Sequence, residues 1–287
     1  MNAEVVNPLI GEAELRSLLG DDARGGGVLL LDVRWSLEHG LEREDYLAGH
    51  LPGARLVDLD TDLSAPAGDG GRHPVPSAEA FQSAMRRHGA GNTTPVVVYD
   101  AATGTVAARA WWVLRYFGQP DVRLLDGGYA AWVEAGAPVE TGPPAEVDGA
   151  GDFVAVPGGM PVLSAEDAGA LARDGVLVDC RPAPRYRGEE EPRDPVAGHI
   201  PGAVNAPTSE NLAESGLFRP PDELRERFAH VAGRDVGVYC GSGVTAPHTV
   251  LALASLGIPG ALFPGSWSEW VRDPSRPVAT GDEPTAG

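Results

Sequence analysis

The side chain of this sequence with the strongest signs of chemical reactivity is Cys240. It follows the apolar run VGVY (236–239), and an apolar helical pattern begins at Ala246. The tight loop between them consists of Gly241, Ser242, Gly243, Val244 and Thr245. Glycines let successive backbone N–H groups turn inward, and the start of a helix adds positive potential. A thiol in such a loop has a depressed pKa and reacts as the thiolate, so the sequence predicts a nucleophile at Cys240 rather than an inert buried cysteine.

Arginines are concentrated in the same half of the chain. Residues 181–194 read RPAPRYRGEEEPRD and include Arg185 and Arg193. An arginine binds a carboxylate through two parallel hydrogen bonds, which orient a substrate as well as neutralise its charge. The alternative is a solvated cluster that balances the glutamates at 189–191, because surface ion pairs are common and contribute little. The substrate role is favoured, since the matching stretch of the first half (36–46) has a single arginine.

The sequence contains an internal repeat. Paired segments recur in the same order in both halves: GHLPGA (49–54) and GHIPGA (198–203), VLLLDVR (28–34) and GVLVDCR (175–181), PVVVYD (95–100) and DVGVYC (235–240), DGGYAAW (126–132) and PGSWSEW (264–270). Such repetition indicates duplication of one domain. Asp100 takes the place of Cys240 in the first half, and a carboxylate cannot perform thiolate chemistry, so that half is predicted to be inactive. Val33 takes the place of Cys180, which predicts that Cys180 is a buried core residue.

Each half alternates short β-branched runs with helical patterns. Runs such as VLLLDV, VVVY, VLVD and VGVY are typical of buried strands in a parallel sheet. The alternation predicts an α/β fold in which each half forms a mainly parallel sheet flanked by helices. A stretch rich in Gly and Pro and without periodicity separates the halves. We therefore expect domains at 1–142 and 161–287, joined by a linker at 143–160.

These motifs resemble those of a known family. CGSGVTA (240–246) resembles the active-site loop of the 3-mercaptopyruvate sulfurtransferases within the tandem-domain rhodanese family, and GHLPGA, GHIPGA and GSWSEW resemble rhodanese landmarks. The resemblance implies two tandem rhodanese-like domains, the first inactive and the second catalytic. It implies a cysteine that takes sulfane sulfur from a small-molecule donor and holds it as a persulfide. The acceptor would be cyanide or a thiol, such as that of a small redox protein, and no metal or organic cofactor is implied.

The resemblance also implies further site residues. Arg185 and Arg193 match the family pair that binds the carboxylate and carbonyl of mercaptopyruvate, although the segment between them is one residue shorter than the usual pattern. Asp60 and His73 resemble an acidic residue and a histidine of the first domain that join the loop serine, here Ser242, in a proton relay. The spacing from Asp60 to His73 is slightly longer than in the family, and an exposed loop histidine is the alternative interpretation. The loop residues themselves would surround the donor.

The composition excludes several function classes. The net charge is −19, from 22 basic and 41 acidic residues. Such a surface repels phosphate backbones and anionic lipids, so we expect no nucleic-acid and no membrane partner. The chain has no lysine, which excludes a Schiff-base lysine and a Walker-type phosphate loop. Apolar runs fall short of the roughly 18–20 residues that span a bilayer, and the N-terminus lacks the pattern of a secretory signal, so we expect a cytoplasmic protein.

Three alternatives to mercaptopyruvate sulfur transfer remain to be compared. Thiosulfate is the nearest alternative donor, but relatives that prefer this dianion carry basic residues directly after the cysteine, where this chain has Gly241 and Ser242. A cysteine phosphatase on the same fold needs an arginine six residues after the cysteine, and Ala246 occupies that position. A non-catalytic rhodanese binding module usually lacks the cysteine. The first half lacks it, whereas the second half retains the cysteine, the loop and the arginines.

Overall fold

The structure, a computed structural model, describes residues 7–20, 27–144 and 149–282. The chain divides into two compact units. The first unit comprises Met1–Ala65, Val75–Met160 and Glu214–Leu217, and the second comprises Pro66–Pro74, Pro161–Ala213 and Phe218–Gly287. Residues 145–148 of the predicted linker lie outside the described residues, and the linear boundaries expected from the sequence stay a prediction.

A parallel sheet forms the centre of the first unit. The strands of this unit are β1 (Leu9–Ile10), β2 (Leu29–Asp32), β3 (Trp35–Ser36), β4 (Gly40–Leu41), β5 (Arg55–Leu56), β6 (Val96–Tyr99) and β7 (Val122–Leu125). Within the described residues the sheet has the order β1-β7-β6-β2-β5, with every neighbouring pair parallel. Strands β3 and β4 form a separate antiparallel pair. The four residues of β6 are all buried, as the continuous apolar run VVVY predicts for a central parallel strand.

Helices flank this sheet. They are α1 (Glu12–Leu19), α2 (Arg43–Ala48), α3 (Ala78–Arg87), α4 (Ala107–Tyr116) and α5 (Gly128–Glu134). Helix α3 begins where Ser77 accepts a hydrogen bond from the N–H of Ala80, which satisfies one of the free donors of the first turn. Leu15, Leu30 and Trp132 meet in the buried core of this unit. Burial of each such side chain contributes roughly 1.5–3 kcal/mol or more to stability.

The second unit repeats the plan. Its elements are α6 (Ala165–Asp174), β8 (Val176–Asp179), α7 (Ala183–Arg187), β9 (Val204–Asn205), α8 (Pro221–Arg227), β10 (Val236–Tyr239), α9 (Ala246–Ser255), β11 (Ala261–Leu262) and α10 (Ser266–Trp270). In the part of the chain that the structure describes, the strands form a parallel sheet with the order β11-β10-β8-β9. The predicted α/β fold, with mainly parallel sheets flanked by helices, is confirmed. None of the described helices is both long and apolar enough to cross a membrane.

The repeat extends to individual side chains. In each copy of GH-x-PGA the histidine stacks on a tyrosine ring, His50 on Tyr46 at 4.0 Å and His199 on Tyr186 at 3.8 Å between centroids. The histidine Nδ1 atoms lie 2.9 and 2.8 Å from the backbone carbonyls of the same tyrosines. Because the arrangement recurs in the half without a nucleophile, these histidines serve the fold of each unit.

Candidate active site

Cys240 lies at the carboxyl end of β10, directly after Tyr239, where the chain turns into the loop before α9. The residue is 1% exposed. Its Sγ accepts a hydrogen bond of 3.2 Å from the N–H of Gly243. Burial raises the pKa of the thiol, but hydrogen bonds from the Thr245 hydroxyl and from the N–H groups of Ala246, Ser242 and Thr245 outweigh burial. The pKa is therefore below its ordinary value, as a loop of inward N–H groups predicts.

A second serine, Ser266, contacts both the backbone and the thiol of the nucleophile. The Ser266 hydroxyl accepts a hydrogen bond of 3.1 Å from the N–H of Cys240, and its oxygen lies 3.9 Å from the Cys240 Sγ. Ser266 has a φ of 54°, in the region that favours glycine, and such strain in a non-glycine residue points to function. Sequence reasoning missed Ser266. The repeat offered a signal, because the matching residue of the first half is Gly128, whose φ is 55°.

Ser242 meets a histidine from the first half of the sequence. The Nδ1 atom of His73 lies 2.9 Å from the Ser242 Oγ, which is close enough for a shared proton. Residues 66–74, which include His73, are part of the second compact unit. The close approach of Gly71 fixes this segment, since a Cβ there would lie 2.7 Å from both the Gly265 carbonyl and the Ser268 Oγ.

Asp60, the other predicted member of the proton relay, lies in the first unit. Its side chain is exposed, and its Oδ2 accepts a hydrogen bond of 2.9 Å from the indole N–H of Trp35. This partner keeps the carboxylate oriented. A role for Asp60 in proton transfer stays a prediction.

Arg185 faces the nucleophile loop from helix α7. Its Nη1 lies 3.4 Å from the position that a Cβ on Gly241 would take. Its Nε and Nη2 donate to the two carboxylate oxygens of Glu191, at 3.2 and 2.5 Å. Arg193 is placed differently: it is exposed, and its backbone N–H donates to Glu191 Oε1 at 3.0 Å. The structure thus brings Arg185 to the loop, and a substrate contact of Arg193 stays a prediction.

Arg72 also faces the loop, and sequence reasoning missed it. Its Nη2 lies 3.2 Å from the position of a Cβ on Gly241, and its Nη1 donates to Asp194. The signal available in the sequence was its position directly before His73, in the glycine-rich stretch GDGGRHP. An isolated arginine in such a stretch gives no periodic pattern, which is why it was overlooked.

Cys180 is placed as a core residue. It is 2% exposed, and its thiol donates to the Thr249 hydroxyl at 3.2 Å. Burial raises the pKa of this thiol far above its ordinary value, so it stays protonated and inert at neutral pH.

Among the described residues, no group of three or more His, Cys, Asp and Glu side chains is arranged to hold a metal ion.

Comparison with known proteins identifies the family to which the sequence belongs. The rhodanese-like domain family matches residues 13–135 and residues 164–273. The chain belongs to the rhodanese family. It carries the domain twice, with the nucleophile loop in the second copy.

Relatives of this tandem rhodanese carry two kinds of name. This chain is 46% identical over 266 residues to a probable 3-mercaptopyruvate sulfurtransferase of Pseudomonas aeruginosa, and the match covers 89% of this chain and 93% of that protein. It is also 46% identical over 283 residues to a putative thiosulfate sulfurtransferase of Mycobacterium tuberculosis, covering 95% and 97%.

A solved structure extends the likeness to the fold. The crystal structure of SseA from Escherichia coli, described as a 3-mercaptopyruvate sulfotransferase with the rhodanese fold, matches with a TM-score of 0.78 and 32% identity. The match covers 92% of this chain and 100% of that one. Both copies of the domain therefore have their counterpart in that protein.

Proposed function

We propose that this tandem rhodanese transfers sulfane sulfur from 3-mercaptopyruvate, through a persulfide on Cys240, to a thiol or to cyanide. The observation that carries the proposal is the Cys240 thiol, which accepts hydrogen bonds from its loop and has a lowered pKa. Such a loop stabilises an anionic sulfur before transfer, and it would stabilise the terminal sulfur of a persulfide in the same way.

The first half-reaction is a nucleophilic displacement at sulfur. The Cys240 thiolate attacks the sulfur of mercaptopyruvate, an S–S bond forms, and the C–S bond of the donor breaks. Its electron pair leaves with carbon as the enolate of pyruvate. The proton that the donor sulfur carried must reach that enolate. The contact of 2.9 Å between His73 and Ser242 supports a role for both residues in this transfer, with Asp60 as the further proposed member of the relay.

The donor assignment depends on charge near the loop. Gly241 and Ser242 place no side-chain cation directly after the nucleophile, whereas Arg185 presents Nη1 beside Gly241. A monoanion with its carboxylate a few atoms from the reacting sulfur suits this layout better than thiosulfate, whose two charges lie next to that sulfur. Residues 241–245 would line the donor site, and Arg193 is the second proposed arginine. Thiosulfate remains the second candidate because a relative at 46% identity is named for it.

The second half-reaction returns the enzyme to its starting state. An acceptor thiolate attacks the outer sulfur of the persulfide, and the Cys240 thiolate leaves. A small redox protein with two thiols would complete the reaction by releasing sulfide and forming its own disulfide. Cys180 and Cys240 are both free, which suits a reducing compartment, and we propose a cytoplasmic location.

The decisive experiment measures the intact mass after incubation with either donor. Mercaptopyruvate should add one sulfur atom, mapped to Cys240, and pyruvate should form in equal amount. Arg185→Ala should lower kcat/KM for mercaptopyruvate by about 10- to 100-fold, because a charge-assisted contact is lost. Arg187→Ala is the matched control, since Arg187 lies on the same helix and pairs with the exposed Glu189. If no sulfur donor adds mass, the chain is a binding module, and if thiosulfate is used as well as mercaptopyruvate, the donor assignment is wrong.

A further inference from the structure

Two guanidinium groups converge on the residue that follows the nucleophile. The Nη2 of Arg72 and the Nη1 of Arg185 lie 3.2 and 3.4 Å from the position of a Cβ on Gly241. The two arginines are more than a hundred residues apart in sequence. Both nevertheless belong to the second unit, because residues 66–74 are part of it. The loop that holds Cys240 is therefore flanked by two positive charges.

Each guanidinium is held by a buried carboxylate through other nitrogens. Arg185 uses Nε and Nη2 on Glu191, whose side chain is 3% exposed. Arg72 uses Nη1 on Asp194, whose side chain is 5% exposed. The second oxygen of Asp194 lies 3.6 Å from the Arg185 Nη2, so the four side chains form one cluster. The nitrogens nearest Gly241 are different atoms from those that bind these carboxylates.

We propose that Arg72 binds the carboxylate of the sulfur donor together with Arg185, and that Asp194 is the positioning residue that holds Arg72 for this contact. The inference rests on the proposed function and adds a binding residue to it. A guanidinium presents its N–H groups in a planar fork, so one edge can stay on Asp194 while another nitrogen meets the donor. The contact comes from a segment far from the arginine-rich stretch at 181–194 in which the sequence suggested both substrate arginines.

The cluster also sets the charge that a donor meets. Arg72 and Arg185 contribute two positive charges, and Glu191 and Asp194 contribute two negative charges. Arg181 also contacts Glu191, at 3.4 Å, but its charge is balanced by Asp179, its partner at 2.6 Å. A monoanionic donor leaves the group with one net negative charge, whereas thiosulfate leaves it with two. Uncompensated charge in a partly desolvated site is costly. Asp194 therefore favours an α-keto carboxylate over a dianion.

A purely structural role for Arg72 makes a different prediction. Its ion pair would then only attach residues 66–74 to the rest of the second unit. A matched control exists, because Arg272 pairs with Asp69 of the same segment at 3.3 Å, in an exposed position. Removal of either arginine deletes one ion pair of the segment, but the exposed Arg272–Asp69 pair contributes little to stability, and of the two arginines only Arg72 lies beside Gly241.

The test compares two reagents that alkylate Cys240, the anion iodoacetate and the neutral iodoacetamide. The ratio of their rate constants reports positive charge at the nucleophile and cancels general effects on the thiol. Arg72→Ala should lower the iodoacetate-to-iodoacetamide ratio, and also kcat/KM for mercaptopyruvate, by about tenfold or more, mainly through KM. Arg72→Lys should restore part of both effects. Arg272→Ala should leave the ratio and the kinetics unchanged.

Asp194→Asn removes a negative charge and keeps an oxygen that can accept from Arg72. It should raise kcat/KM for thiosulfate relative to mercaptopyruvate by about five- to tenfold. The proposal is overturned if Arg72→Ala and Arg272→Ala behave alike, or if Arg72→Ala slows both alkylating reagents equally. The alkylation ratio is readable without sulfur transfer. If the wild type forms no persulfide, the proposed function is refuted, but the alkylation ratio still shows whether Arg72 provides positive charge beside Cys240.

Discussion

The loop after β6 and the loop after β10 share one architecture and hold different anions. In the first unit the carboxylate of Asp100 accepts four backbone hydrogen bonds of 2.9–3.2 Å, from Ala102, Gly104, Val106 and Ala107. In the second unit the sulfur of Cys240 accepts from the corresponding loop. Burial raises the pKa of Asp100, and the four N–H groups oppose this rise. Both loops are anion receptors, and catalysis in the second depends on an anion that can carry a further sulfur atom.

The largest effect is expected from removal of the sulfur itself. Cys240→Ser should lower sulfur transfer by many orders of magnitude, because a hydroxyl is not ionised at neutral pH and cannot form a persulfide. In a comparable enzyme, loss of the nucleophile costs about a millionfold. Steady-state assays with mercaptopyruvate and cyanide measure this loss. Cys180→Ser is the control and should retain turnover. The reverse pattern, with activity lost only in the Cys180 variant, would make Cys180 the nucleophile.

A large loss of stability is expected when the first loop loses its anion. Asp100→Ala leaves four N–H donors without their acceptor. One buried unsatisfied group costs about 1–3 kcal/mol. Since four neighbouring donors do not add fully, we expect the free energy of unfolding of the full chain, measured in urea, to fall by about 3–4 kcal/mol. Glu38→Ala, at an exposed acidic position, should change stability by less than about 0.5 kcal/mol. Equal effects of the two variants would show that the Asp100 carboxylate is dispensable.

The lowered pKa of Cys240 gives a prediction for pH dependence. The reactive thiolate is present above that pKa and is lost as pH falls through it. Thr245→Val removes the hydroxyl donor at similar volume, so the midpoint of the pH profile for iodoacetamide alkylation should rise by about one pH unit. Thr249→Val is the matched control, since Thr249 contacts Cys180. A midpoint that moves in the control but not in the Thr245 variant would contradict this explanation of the thiol pKa.

The smallest effect is expected where the second loop is made more like the first. Ser266→Gly introduces the residue found at Gly128, relieves the strained φ and removes the hydroxyl that accepts the Cys240 N–H. These effects oppose each other at about 1 kcal/mol each, so thermal stability should change little, whereas alkylation of Cys240 should slow by a few fold. Ser266→Ala loses the hydroxyl and keeps the strain, and should be about 1 kcal/mol less stable than the glycine variant. Equal stability of the glycine and alanine variants would show that the positive φ of residue 266 does not strain the backbone.

Sequence patterns predicted the fold because each depends on local structure. The runs VVVY and VGVY became β6 and β10, since continuous apolar runs need burial on both faces. Helix ends are less predictable: α8 ends at Arg227, and a 3-10 turn follows at Ala229–Val231 within the same polar–apolar stretch. Exact helix ends depend on the last turn, which composition specifies weakly.

Residue spacing alone predicted the site only where its chemistry is contiguous, whereas the contact of His73 with Ser242 was expected from the family resemblance. Cys240 and its loop form one segment, so spacing alone identified them. Arg72, in contrast, reaches Gly241 across a fold contact between residues more than a hundred positions apart. Ser266 acts through a φ value, which no residue type reveals by itself. Side chains brought together by tertiary structure leave no periodic signal.

The exchange of short segments between the units has a consequence for the gene. Residues 66–74 are encoded in the first repeat and belong to the second unit, while residues 214–217 are encoded in the second repeat and belong to the first. A gene divided between the repeats would produce a catalytic half without Arg72 and His73. Neither repeat can therefore be deleted or expressed separately without leaving the other unit incomplete.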